Sequence, residues 1–234
     1  MTAALLLLLG ASSSACPVPF CPVAHPNAPD VVLVLGHSLA NGNGDDANFG
    51  DWPLPAGVSL VHGGSTRTTW PSAPSVVPYL AARMARPCTF VVRAAGGATI
   101  SQIGGTHWSG AQADLATLGL TPDRVVVWSG ENDTGTTIAR DAYAATLETL
   151  LDSIEDTYPS AEIDIIQIAG DSGTMVYATE VRAHQAAAVA LEPARRHLVD
   201  PRPSNPLLQT DRVHLVGGVG GGSEVVARLL VGAW

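Results

Sequence analysis

Four short segments of this sequence carry side chains that together could perform nucleophilic catalysis. The first is GHSLANG (36–42), in which Ser38 comes just after the apolar run Val31–Leu35. A serine one turn past a buried strand, with a glycine behind it, can present its hydroxyl at the edge of a sheet. The alternative interpretation is that Ser38 caps a helix, because a serine oxygen accepts the free N–H groups of a first turn.

Two further segments offer hydrogen-bond donors. Gly96 and Gly97 follow the run Thr89–Val92, and paired glycines let backbone N–H groups approach a ligand, although they also suit a plain turn. Asn132 lies in the segment GEND (130–133) after the next apolar run, and its amide can donate toward the same point. We interpret the neighbouring Asp133 as fixing its own loop by hydrogen bonds.

The fourth segment contains Asp211 and His214, three residues apart. The carboxylate of such a pair can hold one imidazole nitrogen and leave the other facing a nucleophile. Asp171 and Asp200 are alternative partners for His214. His37 adjoins Ser38, but side chains of neighbouring residues on an extended segment diverge, so we do not expect His37 to reach the serine hydroxyl. It is expected to pack behind the nucleophile or to contact substrate.

The elements that must position these residues follow from alternating patterns along the chain. Apolar runs of strand length alternate with helical patterns, which indicates a parallel sheet covered by helices on both sides. In such sheets the working residues follow the carboxyl ends of the strands. We predict a single-domain, three-layer α/β/α sandwich with a five-stranded parallel sheet. The five runs are Val31–Leu35, Val58–Val61, Thr89–Val92, Arg124–Trp128 and Ile163–Ile168.

Composition narrows the classes of partner and cofactor. The chain has 234 residues, which fits one domain, and its formal net charge is −9 with 12 basic residues that are all arginine. Because no basic cluster is present, we expect neither nucleic acid nor an anionic membrane surface as a partner. The three cysteines show no zinc-type spacing with each other or with histidines, so no metal site is predicted.

The N-terminus indicates export. Residues 1–15 combine an apolar run with small residues, as in a secretory signal, and the run is too short to span a bilayer. Residues 16–30 are rich in proline and are interpreted as a leader. We therefore predict a secreted protein, the alternative being a structured N-terminal segment of a cytoplasmic one. In the exported protein Cys16 and Cys21 could form a small disulfide; unpaired thiols are the alternative.

The four segments, in this order, resemble the sequence blocks of the SGNH hydrolase superfamily, also called the GDSL esterases and lipases. GHSLANG resembles the first block G-D-S-L-x-x-G, Gly97 the glycine of the second, and GEND the third, G-x-N-D. Asp211 and His214 match the last block, D-x-x-H. The resemblance implies a flavodoxin-like SGNH hydrolase domain over residues 31–234.

The resemblance also implies roles in ester hydrolysis. Ser38 would be the nucleophile, His214 its base and Asp211 the partner of that base. The Ser38 N–H, the Gly97 N–H and the Asn132 amide would form the oxyanion hole, with no metal or cofactor. Because Arg93 and Ala94 stand where the family often has an asparagine, Gly96 is an alternative to Gly97.

We infer the substrate preference from two positions at which this sequence differs from the usual blocks of the superfamily. His37 replaces the usual aspartate, and Gly130–Glu131 opens the third block; both features are similar to sialate-acetylesterase-like carbohydrate esterases. We therefore expect hydrolysis of short acyl esters, chiefly O-acetyl groups on carbohydrate, with a small molecule or a polysaccharide as the ester. Alternatives are a broad aryl or short-chain esterase, a lipase, or a non-catalytic carbohydrate-binding module. Candidate substrate contacts are His37, Trp70, Trp108 and Glu131.

Overall fold

The computed structural model of the protein describes residues 30–41, 54–69, 76–84, 86–170, 172–204 and 222–234. Within those ranges seven strands form one sheet. The strands are β1 (Val31–Gly36), β2 (Val58–His62), β3 (Ser65–Arg67), β4 (Cys88–Ala94), β5 (Arg124–Trp128), β6 (Glu162–Ile166) and β7 (Arg196–Val199). The helices are α1 (Ser38–Asn41), α2 (Val76–Met84), α3 (Ile100–Gln102), α4 (Trp108–Leu118), α5 (Thr137–Thr157), α6 (Ala178–Leu191) and α7 (Gly222–Ala233).

The order of strands across the sheet is β3-β2-β4-β1-β5-β6-β7. All pairs are parallel except β2 with β3, which are antiparallel. The first strand of the chain thus lies in the middle, between β4 and β5. The chain passes to one side of β1 and then to the other, and in open parallel sheets ligand sites form where this direction reverses.

The prediction of a mostly parallel sheet between helices is confirmed, but the sheet has seven strands rather than five. The strand β3 is only three residues long and fully exposed, so it carries no apolar run. The strand β7 begins with Arg196, whose buried guanidinium is bound by Glu148 and Glu155 of α5. Both extra strands therefore lack the hydrophobic pattern by which a buried strand is recognised.

Successive side chains of β1 point to opposite faces of the sheet, which explains why the fold has a layer of helices on each side of it. Val32 and Val34 face one side of the sheet and pack with α2 and α7, whereas Leu33 and Leu35 face the other side and pack with α4, α5 and α6. All four side chains are fully buried. Burying each contributes about 1.5–3 kcal/mol, so β1 is held from both faces as well as from both edges.

The longest helix, α5, shows the expected amphipathic spacing. Its buried residues include Leu147, Leu150, Leu151 and Ile154, which share one face. The hydroxyl of Thr136 accepts the N–H of Ala139 at 3.1 Å and caps the first turn. The opposite face is polar, and no helix in the described ranges is both long enough and apolar enough to cross a bilayer.

A π-helical turn, Ile103–His107, joins α3 to α4. The buried residues on this continuous helical segment are Ile100 and Ile103 before the turn and Trp108, Ala111 and Leu115 at and after it. Ile103 and Trp108 are five residues apart, the spacing of the i to i+5 hydrogen bond that defines a π turn. The wider turn therefore keeps both halves of the segment facing the sheet.

A buried charge pair lies toward the amino ends of the strands, away from Ser38. Arg124, the first residue of β5, donates from Nη1 to Oδ1 of Asp164 at 2.9 Å, and the indole of Trp234 donates to Oδ2 at 3.0 Å. Asp164 is 0% exposed. Burial raises the pKa of its carboxyl although the Arg124 charge and these hydrogen bonds oppose the shift.

We expect Asp164→Asn to lower the free energy of unfolding by about 3 kcal/mol, because the Arg124 charge loses its buried counter-ion and keeps only Glu162, which lies at 2.6 Å and is 48% exposed. Urea unfolding followed by tryptophan fluorescence measures this change. The matched control is Asp141→Asn, whose carboxylate is 63% exposed beside Arg140 and which should change stability by less than about 0.5 kcal/mol. Equal effects of the two variants would contradict the assignment of a stabilising buried pair.

Candidate active site

The segments singled out in the sequence begin at one edge of the sheet. Gly36, the last residue of β1, pairs with Ala94 of β4 on one side and with Trp128 of β5 on the other. The N–H of Ala95 also donates to the carbonyl of Gly36 at 3.3 Å. The loops that carry Ser38, Gly97 and Asn132 therefore leave three adjacent strands at the same level.

Ser38 begins the short helix α1 immediately after β1. The N–H of Asn41 donates to the carbonyl of His37 at 2.9 Å and closes the turn. A side chain at Gly36 would place its Cβ 2.5 Å from the Cβ of Ala40 and 2.8 Å from the carbonyl oxygen of Trp128. Only glycine leaves room for this sharp turn from strand to helix, which brings Ser38 to the sheet edge with 6% of its surface exposed.

The expectation that His37 cannot reach Ser38 is wrong. Nδ1 of His37 lies 3.3 Å from Oγ of Ser38, and the N–H of Leu39 points at the same nitrogen at 3.4 Å. The expectation assumed an extended segment, but the chain bends at His37 and becomes helical at Ser38. The two side chains therefore lie on the same side of the turn.

The other ring nitrogen of His37 contacts Glu131. Nε2 lies 2.5 Å from Oε2 of Glu131, and the two side chains are 0% and 1% exposed. Nε1 of Trp128 donates to the second oxygen, Oε1, at 3.3 Å, and the Trp128 ring meets the His37 ring edge to face. Both His37 and Glu131 are closed in by protein, which corrects the expectation that they contact substrate.

A glycine with a left-handed backbone places Glu131 and the residues after it. Gly130 has φ +120°, and a Cβ there would lie 2.9 Å from Val181 and 3.0 Å from Ile168. Behind it, Nε2 of Gln185 donates to the carbonyl of Ser129 at 2.9 Å. The chain thus turns tightly out of β5 and continues as a single 3₁₀ turn, Glu131–Asp133.

The third segment is tied to the second by two hydrogen bonds. Nδ2 of Asn132 donates to the carbonyl of Ala98 at 3.0 Å, and Oδ2 of Asp133 accepts the N–H of Ile100 at 3.1 Å. Asp133 was expected to fix its own loop; it instead holds the start of α3. Asn132 is exposed, and the second hydrogen of its amide remains for a ligand.

Gly97 occupies the turn between β4 and α3. Its φ is +74°, a conformation that glycine adopts without strain, and it is exposed together with Gly96. The N–H of Ala98 closes this turn on the carbonyl of Ala95 at 3.3 Å. The backbone at both glycines is open to solvent beside the site.

Burial perturbs the carboxyl of Asp133. Its removal from water raises the pKa from 3.8 to about 6, and the negative charge of Glu131 acts in the same direction. The N–H of Ile100 and the nearby His37 oppose the shift but do not cancel it. A carboxyl that releases its proton about two pH units later than usual, near pH 6, therefore lies next to the exposed Asn132.

Trp108 is not a substrate contact. It lies in the core between α4 and α5, its indole N–H donates to Oγ of Ser153 at 2.9 Å, and its ring meets Tyr158 edge to face at 5.9 Å. The position after a strand suggested the wrong role because the helix carries Trp108 away from the sheet edge, on its inward-facing stripe.

Several predicted residues lie outside the described residues: Trp70, Asp171, Asp211 and His214, together with the proposed signal segment 1–15, the leader, Cys16 and Cys21. Asp200, the alternative partner of His214, is described. Its two carboxylate oxygens both bind the guanidinium of Arg202, at 2.8 and 2.7 Å.

Two further histidines, His62 and His107, lie near the nucleophile segment. Burial is the main cause that lowers the pKa of each ring, and the backbone of Asn41 near His62 and of Gly36 near His107 acts in the opposite direction. No motif marks them, because they approach the site through the ends of β2 and of the π turn. Among the described residues no group of three His, Cys, Asp or Glu side chains could hold a metal ion.

A model of the GDSL-like lipase/acylhydrolase family matches residues 34–220, from the second half of β1 through β7, and the chain belongs to that family. It is therefore a hydrolase of the lipase and acylhydrolase class. No curated protein sequence matches the chain.

Solved structures share the fold at low sequence identity. A protein from Arabidopsis thaliana has a TM-score of 0.67 at 18% identity, covering 88% of this chain and 98% of its own. A carbohydrate esterase family 2 enzyme with a carbohydrate-binding domain, from Corynascus thermopiles (Myceliophthora fergusii), has a TM-score of 0.61 at 19% identity, and the match covers 92% of this chain and 67% of that enzyme. A catalytic mutant of an acetylxylan esterase from Geobacillus stearothermophilus has a TM-score of 0.56 at 18% identity, and the match covers 90% of this chain and 95% of that enzyme. The architecture is that of the SGNH hydrolases.

The raised pKa of Asp133 predicts a pH-dependent difference between the wild type and Asp133→Asn. The folded protein binds this proton more tightly than the unfolded chain, so the stabilising effect is full below pH 3.8 and is lost as the pH rises through about 6. Asparagine still accepts the N–H of Ile100 but carries no charge. Urea unfolding should give similar stabilities near pH 4, and the variant should be more stable by up to about 3 kcal/mol near pH 7.5.

The control is Asp200→Asn. Burial acts against ionisation there too, but the hydrogen bonds and charge of Arg202 outweigh it and lower the pKa of Asp200. That carboxylate stabilises the fold at higher pH, so its variant should lose stability relative to the wild type as the pH rises. If Asp133→Asn behaved in the same way, burial would not dominate the Asp133 site.

Proposed function

We propose that the protein is a serine esterase that hydrolyses short acyl esters through an acyl-serine intermediate. The observation that carries this proposal is the meeting of the Ser38, Gly97 and Asn132 loops at the ends of three adjacent strands, β4, β1 and β5. A nucleophile and two kinds of N–H donor are thereby offered to one point on the surface. Membership of the lipase and acylhydrolase family supports the same reaction class.

In the proposed reaction Ser38 attacks the ester carbonyl carbon. His214, held by Asp211, takes the serine proton and gives it to the leaving alcohol; water then releases the acid from the acyl-serine. The negative charge that develops on the carbonyl oxygen is stabilised by the N–H groups of Ser38 and Gly97 and by the amide of Asn132. Each such donor is worth on the order of 3 kcal/mol in the transition state.

Acetyl groups on carbohydrate are the proposed substrate. The support is the Gly130–Glu131 pair, the polar residue His37 before the nucleophile, and the fold shared with a carbohydrate esterase and an acetylxylan esterase. A broad short-chain esterase or a lipase is the second candidate, because the matching family is described by both activities. The apolar segment 1–15 supports export, which would bring the enzyme to extracellular polysaccharides.

We expect Ser38→Ala to fold normally and to lose nearly all esterase activity, because it removes the attacking oxygen. A fluorophosphonate should label the wild type at Ser38 and at no other serine, as read by mass spectrometry of the digested protein. His214→Ala should be as damaging as Ser38→Ala, while Asp211→Asn should cost less because the base remains. Labelling of a different serine would refute the assignment.

The acyl group is tested with p-nitrophenyl esters from acetate to laurate. A short-acyl esterase gives its highest kcat/KM on acetate, a lipase on the longer chains, and a binding module on none of them. Release of acetate from acetylated polysaccharides, compared with release from a simple aryl acetate, then tests the carbohydrate preference. If only the aryl acetate were hydrolysed, the proposal of an esterase would stand, and the proposal of a carbohydrate substrate would be refuted.

Asn132→Ala should lower kcat by about 10²–10³ with little change in KM, because the lost donor acts mainly on the transition state. The matched control is Gln102→Ala, at the exposed end of α3, where the amide oxygen accepts the N–H of Thr99 at 2.9 Å and belongs to a cap. An effect of Asn132→Ala confined to KM would make Asn132 a substrate-binding residue.

A further inference from the structure

The ring of His37 joins the nucleophile segment to the loop after β5. Its Nδ1 faces Ser38 and Leu39, while its Nε2 faces Glu131. Within the described part of the chain, neither Nε2 of His37 nor Oε2 of Glu131 has a partner in hydrogen-bond geometry, and the two atoms lie 2.5 Å from each other as a close charged contact. The contact between them is thus the one polar interaction that holds the edge of the ring away from Ser38.

Burial excludes His37 as the general base of the reaction. A base that takes the serine proton must next deliver it to the leaving alcohol, which requires a nitrogen that faces the substrate. The ring of His37 is 0% exposed and packs edge to face on Trp128. A proton taken by its Nδ1 could not be passed to an alcohol on the surface.

The two contacts assign a tautomer to the ring. A carboxylate only accepts hydrogen bonds, so Nε2 carries the proton that faces Glu131. Nδ1 is then a lone-pair acceptor, which agrees with the N–H of Leu39 directed at it. That lone pair lies 3.3 Å from Oγ of Ser38. The contact with Glu131 therefore fixes the position of the His37 ring, and it determines that the unprotonated nitrogen, Nδ1, is the one that faces Ser38.

We propose that His37, anchored by Glu131, is a positioning residue that fixes the hydroxyl and the first helical turn of Ser38. The proposal rests on the proposed function, in which Ser38 is the nucleophile. His37 acts through Ser38 and touches no substrate. It orients Oγ and the N–H of the first turn together, so its loss misplaces both the attacking atom and one oxyanion donor.

The anchor itself is rigid for identifiable reasons. Oε1 of Glu131 accepts the indole N–H of Trp128, the last residue of β5, and Gly130 fixes the backbone between them. Trp128 in turn pairs with Gly36 in the sheet. The path from Glu131 back to the nucleophile is therefore a closed ring of contacts in which each member is buried and cannot shift alone.

The experiment compares four variants: His37→Ala, Glu131→Ala, the double variant, and Glu131→Gln. For each, kcat and KM on p-nitrophenyl acetate are measured per site titrated with a fluorophosphonate, with the second-order rate of that labelling and the Tm. Titration removes unfolded molecules from the count, so a purely structural role would lower Tm without changing kcat per titrated site.

We expect kcat per site and the labelling rate to fall together by about 10–100-fold in each alanine variant, with KM changed by less than about threefold. The double variant should lose no more than the worse single variant, because the two residues act as one unit. Glu131→Gln should recover only part of the rate, since its single amide oxygen can accept the Nε2 proton of His37 only when its NH2 group faces the indole N–H of Trp128.

His37→Asn and His37→Gln keep the test decisive if the alanine variants fail to fold. The asparagine oxygen reaches the place of Nδ1 but not Glu131, whereas glutamine reaches Glu131 but leaves no acceptor beside Ser38. Both should lose rate, because position and anchor are needed together. Asp164→Asn is the matched control: it disturbs a buried ion pair at the far end of the strands and should lower Tm without changing kcat per site.

Unchanged kcat and labelling rate in folded His37 variants would overturn the proposal while leaving the esterase function intact. A wild type that is labelled at Ser38 but hydrolyses no ester would instead overturn the proposed function, and the labelling rates would still report on His37. A wild type that neither hydrolyses esters nor accepts the label would overturn both.

Discussion

Backbone pairing at Gly36 is the constraint on which the site depends. This residue is paired in register with Ala94 on one side and with Trp128 on the other, and its lack of a side chain lets α1 start at once. Three loops are thereby forced to begin at one level of the sheet. Among the described residues, the three segments proposed to carry the chemistry all start within a few residues of that point, because the pairing fixes positions that loops alone could not hold.

The short turn Glu131–Asp133 then connects the loop after β5 to the loops after β1 and β4. Glu131 reaches back to His37 in the loop after β1, and Asp133 reaches to Ile100 in the loop after β4. Asn132 stands between these two buried carboxyl groups with its own amide on Ala98. The residue proposed to stabilise the oxyanion is thus held by its neighbours on both sides, at the expense of an unfavourable buried acid at Asp133.

The sequence predicted the parts of this arrangement that depend on pattern. Apolar runs located β1, β2, β4, β5 and β6 because strands buried on both faces must be apolar throughout. The strands β3 and β7 were missed since one is exposed and the other is held by the ion pairs of Arg196. The motifs placed Ser38 and Asn132 just after β1 and β5, where the structure has them, whereas their catalytic roles remain a proposal. They gave His37 the wrong environment, because the direction of a side chain depends on the bend between strand and helix. The pairing of His37 with Glu131 joins residues 94 positions apart in sequence, and no local signal encodes it.

The π turn between α3 and α4 has a consequence for how the chain tolerates changes in length. Ile103 and Trp108 face the core five residues apart, and the two glycines between them, Gly104 and Gly105, have ample room around their backbone. Removing one residue from this turn would shorten the separation to four, the spacing of residues on one face of an α-helix, and both halves of the segment would still face the sheet. The helical segment that follows the Gly97 turn therefore contains a point at which a one-residue deletion is expected to leave its buried face directed at the sheet.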